Sequence, residues 1–268
     1  MRLASVRPSY DSPRMRIITA NLNGIRSAAG KGFFDWMTRQ RADVVCLQET
    51  KCLREQLDRR HFPRGWHAQF NCAEAKGYSG VAVYSKREPD SVVDRLGWDA
   101  FDREGRYLEA RFGDLSVVSL YLPSGSSGEV RQAFKYRVLE YLVEHLAQWR
   151  ASGRQYVLCG DWNIAHRNLD LKNWRSNQKN SGFLPDERAW LDRVFAQDAW
   201  LDAFRVLKPD AAEYTWWSNR GQARANNVGW RIDYHVVTPA LRPALRATSI
   251  YRAKWFSDHA PLTVDYDL

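Results

Sequence analysis

Apolar residues come along this chain in short runs rich in β-branched side chains, at residues 17–22, 44–47, 81–84, 115–122, 156–158, 232–237 and 262–264. Runs of that length and make-up predict β-strands. Several end in a cluster of polar residues rather than a bland turn, as strands do when their ends carry chemistry. Between them the period changes. Over residues 129–149, Phe134, Val138, Leu142 and Leu146 recur every fourth position and lay an apolar stripe along a helix; residues 186–195 read the same way. Residues 106–112 and 115–122 are separated only by Gly113-Asp114, a turn too short for a crossover. Strands that partly alternate with helices and partly follow one another directly predict a mixed sheet system with helices outside, in the α/β (α+β) class.

No Pro-, Gly- or Ser-rich linker divides the chain and no fixed-period repeat is visible, so residues 15–268 read as one domain. Residues 1–14 are polar, aperiodic and carry two prolines, and read as an N-terminal extension ahead of a strand opening at Met15.

Composition narrows the partners. With 44% hydrophobic residues and twelve Trp the chain is not disordered. Forty Lys and Arg against 31 Asp and Glu leave a net charge of +9, which calls for a polyanion: nucleic acid, an anionic membrane or an acidic protein. Acids retained in so basic a chain point to a metal. Cys46, Cys52, Cys72 and Cys159 show no CxxC pairing and read as reduced thiols, Cys46 and Cys159 as small buried hydrophobes. No apolar run approaches the ~20 residues that cross a bilayer, so the expectation is a cytoplasmic, nucleoid-associated monomer with no membrane partner.

Five polar clusters stand at strand ends: Asn21-Leu22-Asn23-Gly24, Gln48-Glu49-Thr50-Lys51, Gly160-Asp161-Trp162-Asn163, Arg231-Ile232-Asp233-Tyr234 and Ser257-Asp258-His259. Any one alone is more often a turn or a cap. If all five converge on one end of the sheets, they offer oxygen donors and one imidazole to a hard cation. That set suits Mg²⁺, which keeps several waters and takes few protein carboxylates. Without HExxH or a Cys/His cluster, zinc does not fit.

The segments NLNGIR, LQETK, GYSGVAVYS, YLPSG, GDWNIA, GWRIDY and SDHAPL, in that order and spanning about residues 15–267, resemble the exonuclease III and AP endonuclease family of the endonuclease/exonuclease/phosphatase superfamily. The resemblance implies a four-layered α/β sandwich: two mixed β-sheets packed face to face and flanked by helices. It implies a Mg²⁺-dependent DNA-repair phosphodiesterase, with Mn²⁺ as a substitute metal. The substrate would be double-stranded DNA with abasic sites or blocked 3′ ends. Glu49 would be the principal metal ligand, supported by Asn21, Asn23 and Asp258, with Asp161 and Asn163 beside the metal. Asp233 would hold the His259 imidazole toward a phosphate oxygen, Asp161 and Asn163 would manage the attacking water, and Tyr121 would meet the phosphate. Whether Asp161 or His259 takes the water proton stays open at this point.

Two further segments carry the resemblance toward DNA repair. Asn177 and Asn180, in NWRSNQKNSGF, would contact the flipped-out nucleotide. Ser181, Gly182, Trp216, Trp230 and Ile232 would shape a pocket for a sugar without a base; Trp217, in the same run, reads as core. Arg26, Lys31, Lys76, Tyr78, Arg106, Lys135 and Arg220 are candidates for following the phosphates on either side. The rival readings are a 3′-phosphodiesterase and exonuclease with weak AP endonuclease activity, and a superfamily phosphatase on inositol phosphates. A DNA-binding module without catalysis would have lost some of Glu49, Asp161, Asn163, Asp233 and His259, and all five are present.

Overall fold

The computed structural model describes residues 14–268. The extension read from the sequence therefore lies outside the described residues, except for Arg14, which opens the first strand.

The chain runs β1 (Arg14–Asn21), α1 (Ile25–Gly30), α2 (Phe33–Arg39), β2 (Val44–Gln48), β3 (His67–Asn71), β4 (Val81–Ser85) and β5 (Ser91–Val93). It continues through α3 (Asp99–Asp102), β6 (Tyr107–Phe112), β7 (Leu115–Tyr121), α4 (Glu129–Ala151), β8 (Gln155–Asp161), α5 (Trp174–Asn177) and α6 (Pro185–Phe195). Last come β9 (Leu201–Asp202), α7 (Ala203–Leu207), β10 (Trp216–Trp217), β11 (Gly229–Trp230), β12 (Asp233–Val237), β13 (Leu245–Ile250) and β14 (Leu262–Asp267).

Two six-stranded sheets result, ordered β13-β14-β1-β2-β4-β3 and β5-β6-β7-β8-β12-β9. Each has one parallel pair near its centre, β1 with β2 and β7 with β8, and antiparallel pairs elsewhere. The two sheets thus share one plan, although no repeat marks it in the sequence. The second sheet is built from one contiguous stretch, Ser91 to Val237, whereas the last two strands return to the first sheet, which takes its strands from both ends of the described chain.

Successive side chains of a strand point to opposite faces, and here both faces are covered. Ile17, Val44, Cys46, Val117, Val157, Cys159 and Val264 meet in the layer between the sheets. Their neighbours Ile18, Val45 and Leu47 turn outward onto Phe33, Trp36 and Met37 of α2, while Val118, Leu120 and Leu158 turn onto Phe134, Val138 and Leu142 of α4 and Trp190 of α6. Continuous apolar runs, rather than alternating ones, follow from that double burial. Cys46 and Cys159 are the buried small hydrophobes their contexts suggest.

A few polar groups do cross the interlayer, and three of them form a chain of hydrogen bonds. Thr19 Oγ1 donates to Gln48 Oε1 (3.1 Å), Gln48 Nε2 to Ser119 Oγ (2.9 Å), and Ser119 Oγ to Leu47 O (2.9 Å). These bonds lock one sheet against the other just below the end where the polar clusters gather.

Behind that end lies a buried ion network. Arg231, fully buried, donates through Nε to Asp170 Oδ1 and through Nη2 to Asp202 Oδ2, each at 2.7 Å, and Arg205 donates to the same Asp170. Burial would raise the Asp170 carboxyl, but Arg231 and Arg205 outweigh it and hold the group down at about 2. Removing one member of a buried pair typically costs 3–5 kcal/mol. We expect Asp170→Asn to lose stability on that order, read by urea denaturation at neutral pH. Because the folded value lies below the unfolded one of about 3.9, this contribution is complete above the unfolded value and vanishes as pH falls through about 2. Wild type should therefore lose more stability than the variant on acidification.

Candidate active site

Register brings the polar clusters together. Asn21 and Gln48 are paired at the ends of parallel β1 and β2, and Tyr121 and Asp161 at the ends of parallel β7 and β8. Asp233 opens β12 opposite Asp161, and the segment holding Ser257, Asp258 and His259 leads into β14 beside β1. All five clusters thus reach one edge of the sandwich, as the strand-end pattern predicts.

Glu49 stands on a tight turn with φ 50°, and Lys51 on the same turn has φ 48°. Such left-handed backbone is costly for non-glycine residues and needs support from around it. Thr50 N donates to Gly80 O (3.0 Å), Lys51 N to Ser79 O (2.8 Å), and Gly24 N to Glu49 O (2.8 Å). Gly80, at φ 83°, lies so close beneath that a Cβ there would come within 2.3 Å of Thr50 Oγ1. The GYSG segment is therefore the bed of the Glu49 turn.

Asn21 joins the two sheets at the site. Its Nδ2 donates to Glu49 Oε1 (2.8 Å) and to Asp161 Oδ2 (2.9 Å), while its Oδ1 accepts from Asn23 N (3.0 Å). With its nitrogen turned to both carboxylates, Asn21 braces the two acids against each other. Asp161 also accepts from Asn163, through N to Oδ1 (2.8 Å) and Nδ2 to Oδ2 (3.1 Å). Asn163 Nδ2 reaches Leu122 O as well, at 2.8 Å.

His259 Nδ1 lies 2.9 Å from Asp233 Oδ2, the expected carboxylate behind the ring, and Nε2 faces Asp161 Oδ2 at 3.8 Å. Donor atoms of Glu49, Asp161 and His259 all fall within 4.8 Å of one another, a spacing one cation can bridge. Asp258 is the outer acid: Asn23 Nδ2 (3.0 Å) and Trp216 Nε1 (2.9 Å) donate to its two oxygens.

The crowding shows in the protonation of these groups. Burial, then the Asp233 and Glu49 charges, push Asp161 up to about 8 against the pull of His259. Burial works against a charged His259, yet Asp233 and Asp161 raise it to about 10. Glu49 stays below its usual value despite burial, because Lys51 and Asn21 stabilise its anion. Lys51 Nζ lies 2.6 Å from both Glu49 Oε2 and Asn23 Oδ1. Sequence reasoning gave Lys51 no role; its place two residues after Glu49 was the available signal.

The acids open into a cleft of about 740 Å³, whose lining includes Tyr121, Lys179, Asn180, Ser181, Gly182, Trp216, Arg220, Trp230 and Ile232. Pairing of β10 with β11 sets Trp216 opposite Trp230, their rings edge to face at 6.1 Å. Trp217 turns into the core. Gly182, at φ 92°, approaches so closely that a Cβ would lie 3.2 Å from the Trp230 ring. Asn177 is tied to the segment itself, donating to Asn173 O (2.8 Å) and accepting from Asn180 Nδ2 (2.7 Å).

Two of the proposed phosphate contacts are corrected. Lys135 is fully buried: its Nζ pairs with Glu187 Oε1 (2.6 Å) and donates to Asn163 O (2.8 Å). Arg106 is 1% exposed, bonded to Glu104, to Tyr78 Oη and to Tyr121 O, with its guanidinium 4.5 Å from the Tyr121 ring centre. Both cations are spent on internal partners, so neither is free for DNA. Arg26, Lys31, Lys76, Tyr78 and Arg220 are exposed. Glu187, absent from the sequence reading, holds the pocket loop by accepting from Gly182 N (2.6 Å) and Leu184 N (3.1 Å). Its position three residues after Leu184, in the first turn of α6, is the reach-back placement of a capping glutamate.

Residues 18–259 match the Endonuclease/Exonuclease/phosphatase family. An exodeoxyribonuclease of Bacillus subtilis is 38% identical, over 92% of this chain and 98% of its own length. The DNA repair nuclease APEX1 of Danio rerio is 39% identical, over 93% of this chain and 81% of its own. Among solved structures, an AP endonuclease from Archaeoglobus fulgidus superposes with a TM-score of 0.86 at 28% identity, covering 95% of this chain and 100% of that one. The 3′ phosphatase NExo from Neisseria, solved with a product DNA hairpin, gives 0.82 at 26% identity, with 95% and 100% coverage. With the strand plan, the metal-spaced acids and these relatives in agreement, the chain belongs to the endonuclease/exonuclease/phosphatase family, among its exodeoxyribonucleases and AP endonucleases.

Proposed function

We propose that this protein is a Mg²⁺-dependent DNA-repair phosphodiesterase that cuts the backbone 5′ to abasic sites and clears blocked 3′ ends. The observation that carries the reading is the continuity of one cleft from Glu49, Asp161 and His259 to the wall of Trp216, Trp230 and Ile232. A phosphodiester at the acids would leave its sugar against aromatic rings, a fit for a flat, baseless deoxyribose. The relatives named for exodeoxyribonuclease and AP endonuclease activity support it, as does the 3′ phosphatase solved with DNA. As a DNA enzyme the protein would work as a monomer at the nucleoid in the cytoplasm.

The Glu49 and Asp161 carboxylates, with donor atoms within 4.8 Å of each other, fit a hard cation by donor type and spacing, and the Lys51 ammonium lies against Glu49 in the same place. Bound there, Mg²⁺ supplies Lewis-acid polarisation of a phosphoryl oxygen and offsets its charge. The protein's own groups divide the remaining work. His259, raised to about 10 beside Asp233, is cationic at neutral pH and suited to donate to a phosphate oxygen rather than to act as base. Asp161 is raised to about 8 by burial and the neighbouring charges; with a cation beside it to offset them it would stand as the carboxylate, a base for the water proton, with Asn163 and Asn21 fixing its orientation. Burial and the nearby Glu49 carboxylate keep the Tyr121 hydroxyl protonated, a donor toward phosphate.

The direct test is nicking of a duplex with one abasic site, with Mg²⁺ and with EDTA, beside phosphate release from inositol polyphosphate. Cleavage of inositol polyphosphate in preference to DNA would refute the reading. Glu49→Gln should remove most turnover at limiting Mg²⁺ while the melting temperature stays near wild type. Asp161→Asn should abolish turnover but bind duplex as well or more tightly, because a carboxylate near phosphate is gone; loss of binding in an anisotropy titration would contradict its assignment as base.

Ser181 and Gly182 keep the entrance small-sided, and Ser181 is only half-buried on the cleft. An internal abasic nucleotide must be turned through that entrance with backbone on both sides, whereas a 3′ terminus is already free. Ser181→His should therefore depress incision of an abasic duplex far more than removal of a 3′-phosphate, measured with one preparation on both substrates. Equal slowing of the two reactions would count against an open entrance.

A further inference from the structure

Arginines buried in this fold are paired with acid. Arg231 and Arg205 meet Asp170, and Arg106 meets Glu104. Arg224 differs. Half-buried on the loop between β10 and β11, its guanidinium is stacked 3.9 Å from the Trp255 ring centre and 4.7 Å from that of Trp217. Nη1 reaches only Ser257 O, at 3.4 Å, longer than an ordinary N–H···O bond. Nη2 is buried without a hydrogen-bond partner, and among the described residues no carboxylate comes within ion-pair distance of Arg224 or Arg252. Arg224, Arg252, Trp217 and Trp255 line one cavity, and burial together with the Arg252 charge brings Arg224 down to about 10, with Asp258 pulling the other way. Two guanidinium groups lining one cavity with no carboxylate at ion-pair distance are a cost to the folded state that a bound anion would relieve.

Three features say which anion. Trp255 is 53% exposed, while the other eleven of the twelve tryptophans are buried or half-buried. Arg252 and Lys254 stand on the same loop, and Lys31 donates to Phe256 O at 3.1 Å, so cations rim the exposed ring. Asp258 borders both the catalytic cleft and a cavity of about 270 Å³ beside Trp217, Arg224 and Trp255, so a strand leaving the cleft past Asp258 meets this corner next. The floor is firm: Trp217 N donates to Asp258 O (3.1 Å) and Trp217 Nε1 to Asn227 Oδ1 (3.2 Å).

We infer that Arg224, Arg252 and Trp255 form a second seat for the DNA backbone, in which the two guanidinium groups take one phosphodiester and the indole packs against the neighbouring deoxyribose. Guanidinium groups bind phosphate through paired N–H donors, and backbone contacts of this kind set the register of the substrate. The inference rests on DNA being the substrate. It makes the corner a binding element, remote from the acids that do the chemistry.

The test uses the full chain in EDTA, titrated by fluorescence anisotropy against a duplex with a tetrahydrofuran abasic analogue over a range of salt. Arg252→Ala should weaken binding several-fold and lower the slope of log affinity against log salt by about one, the loss of one phosphate contact. Trp255→Ala should weaken binding with little change of slope. Arg224→Gln, checked for an unchanged thermal transition, should behave as Arg252→Ala does. All three should hydrolyse a small aryl phosphodiester with Mg²⁺ at the wild-type rate. Wild-type affinity and slope in Arg252→Ala and Arg224→Gln would overturn the seat. Wild-type protein that binds the duplex yet leaves it uncut would instead overturn the proposed activity and leave the seat standing, since binding is read without turnover.

Discussion

The apolar layer between the two sheets, with Ile17, Val44, Cys46, Val117, Val157, Cys159 and Val264 interleaved, leaves the central strands no side facing solvent. Polar residues on those strands must then be paired inside, as Gln48, Ser119 and Thr19 are, or stand at the ends. The parallel pairs decide which end. β1 with β2 and β7 with β8 deliver Asn21, Glu49, Tyr121 and Asp161 to one edge, and antiparallel β12 and β14 add Asp233 and His259 from their beginnings. Close sheet packing and a convergent active edge are consequences of the same geometry.

At that edge the protein concentrates negative charge that it cannot neutralise with solvent. Glu49, Asp161 and Asp233 crowd a small volume beside Lys51 and a protonated His259, and the crowding raises Asp161 to about 8. Asn21, donating to Glu49 and Asp161 at once, holds the two carboxyl groups together. The strained turn at Glu49, carried by Gly80 and its neighbours, is the backbone counterpart of that restraint. The donor atoms gathered there lie within 4.8 Å of one another, the spacing of a metal site.

The substrate side is organised by a different kind of contact. Glu187 ties down the Ser181-Gly182 loop, and its buried partner Lys135 reaches Asn163 beside Asp161. Helices α4 and α6 thereby couple the position of the Ser181-Gly182 loop to that of Asn163 and Asp161, through one ion pair shielded from salt and water. Arg106 does similar work for Tyr121, stacking on its ring while holding its carbonyl.

The sequence by itself determined the strands that are buried on both faces, the two long helices and the acids at strand ends, because each leaves a local mark: an apolar run, a fourfold period, a polar cluster at a terminus. Short elements escaped it. β9, β10 and β11, of two residues each, exist only through their partners, and the common plan of the two sheets has no sequence repeat behind it. Only tertiary structure decided what each cation does. Lys135 and Arg106 look like phosphate contacts until Glu187 and Glu104 claim them, whereas Arg224 finds no carboxylate at ion-pair distance among the described residues and lines a cavity with Arg252. A charged side chain reads the same in sequence whether its partner is protein, solvent or DNA, since that depends on which distant residue the fold sets within about 4 Å of it, where Coulomb attraction outweighs the cost of burial.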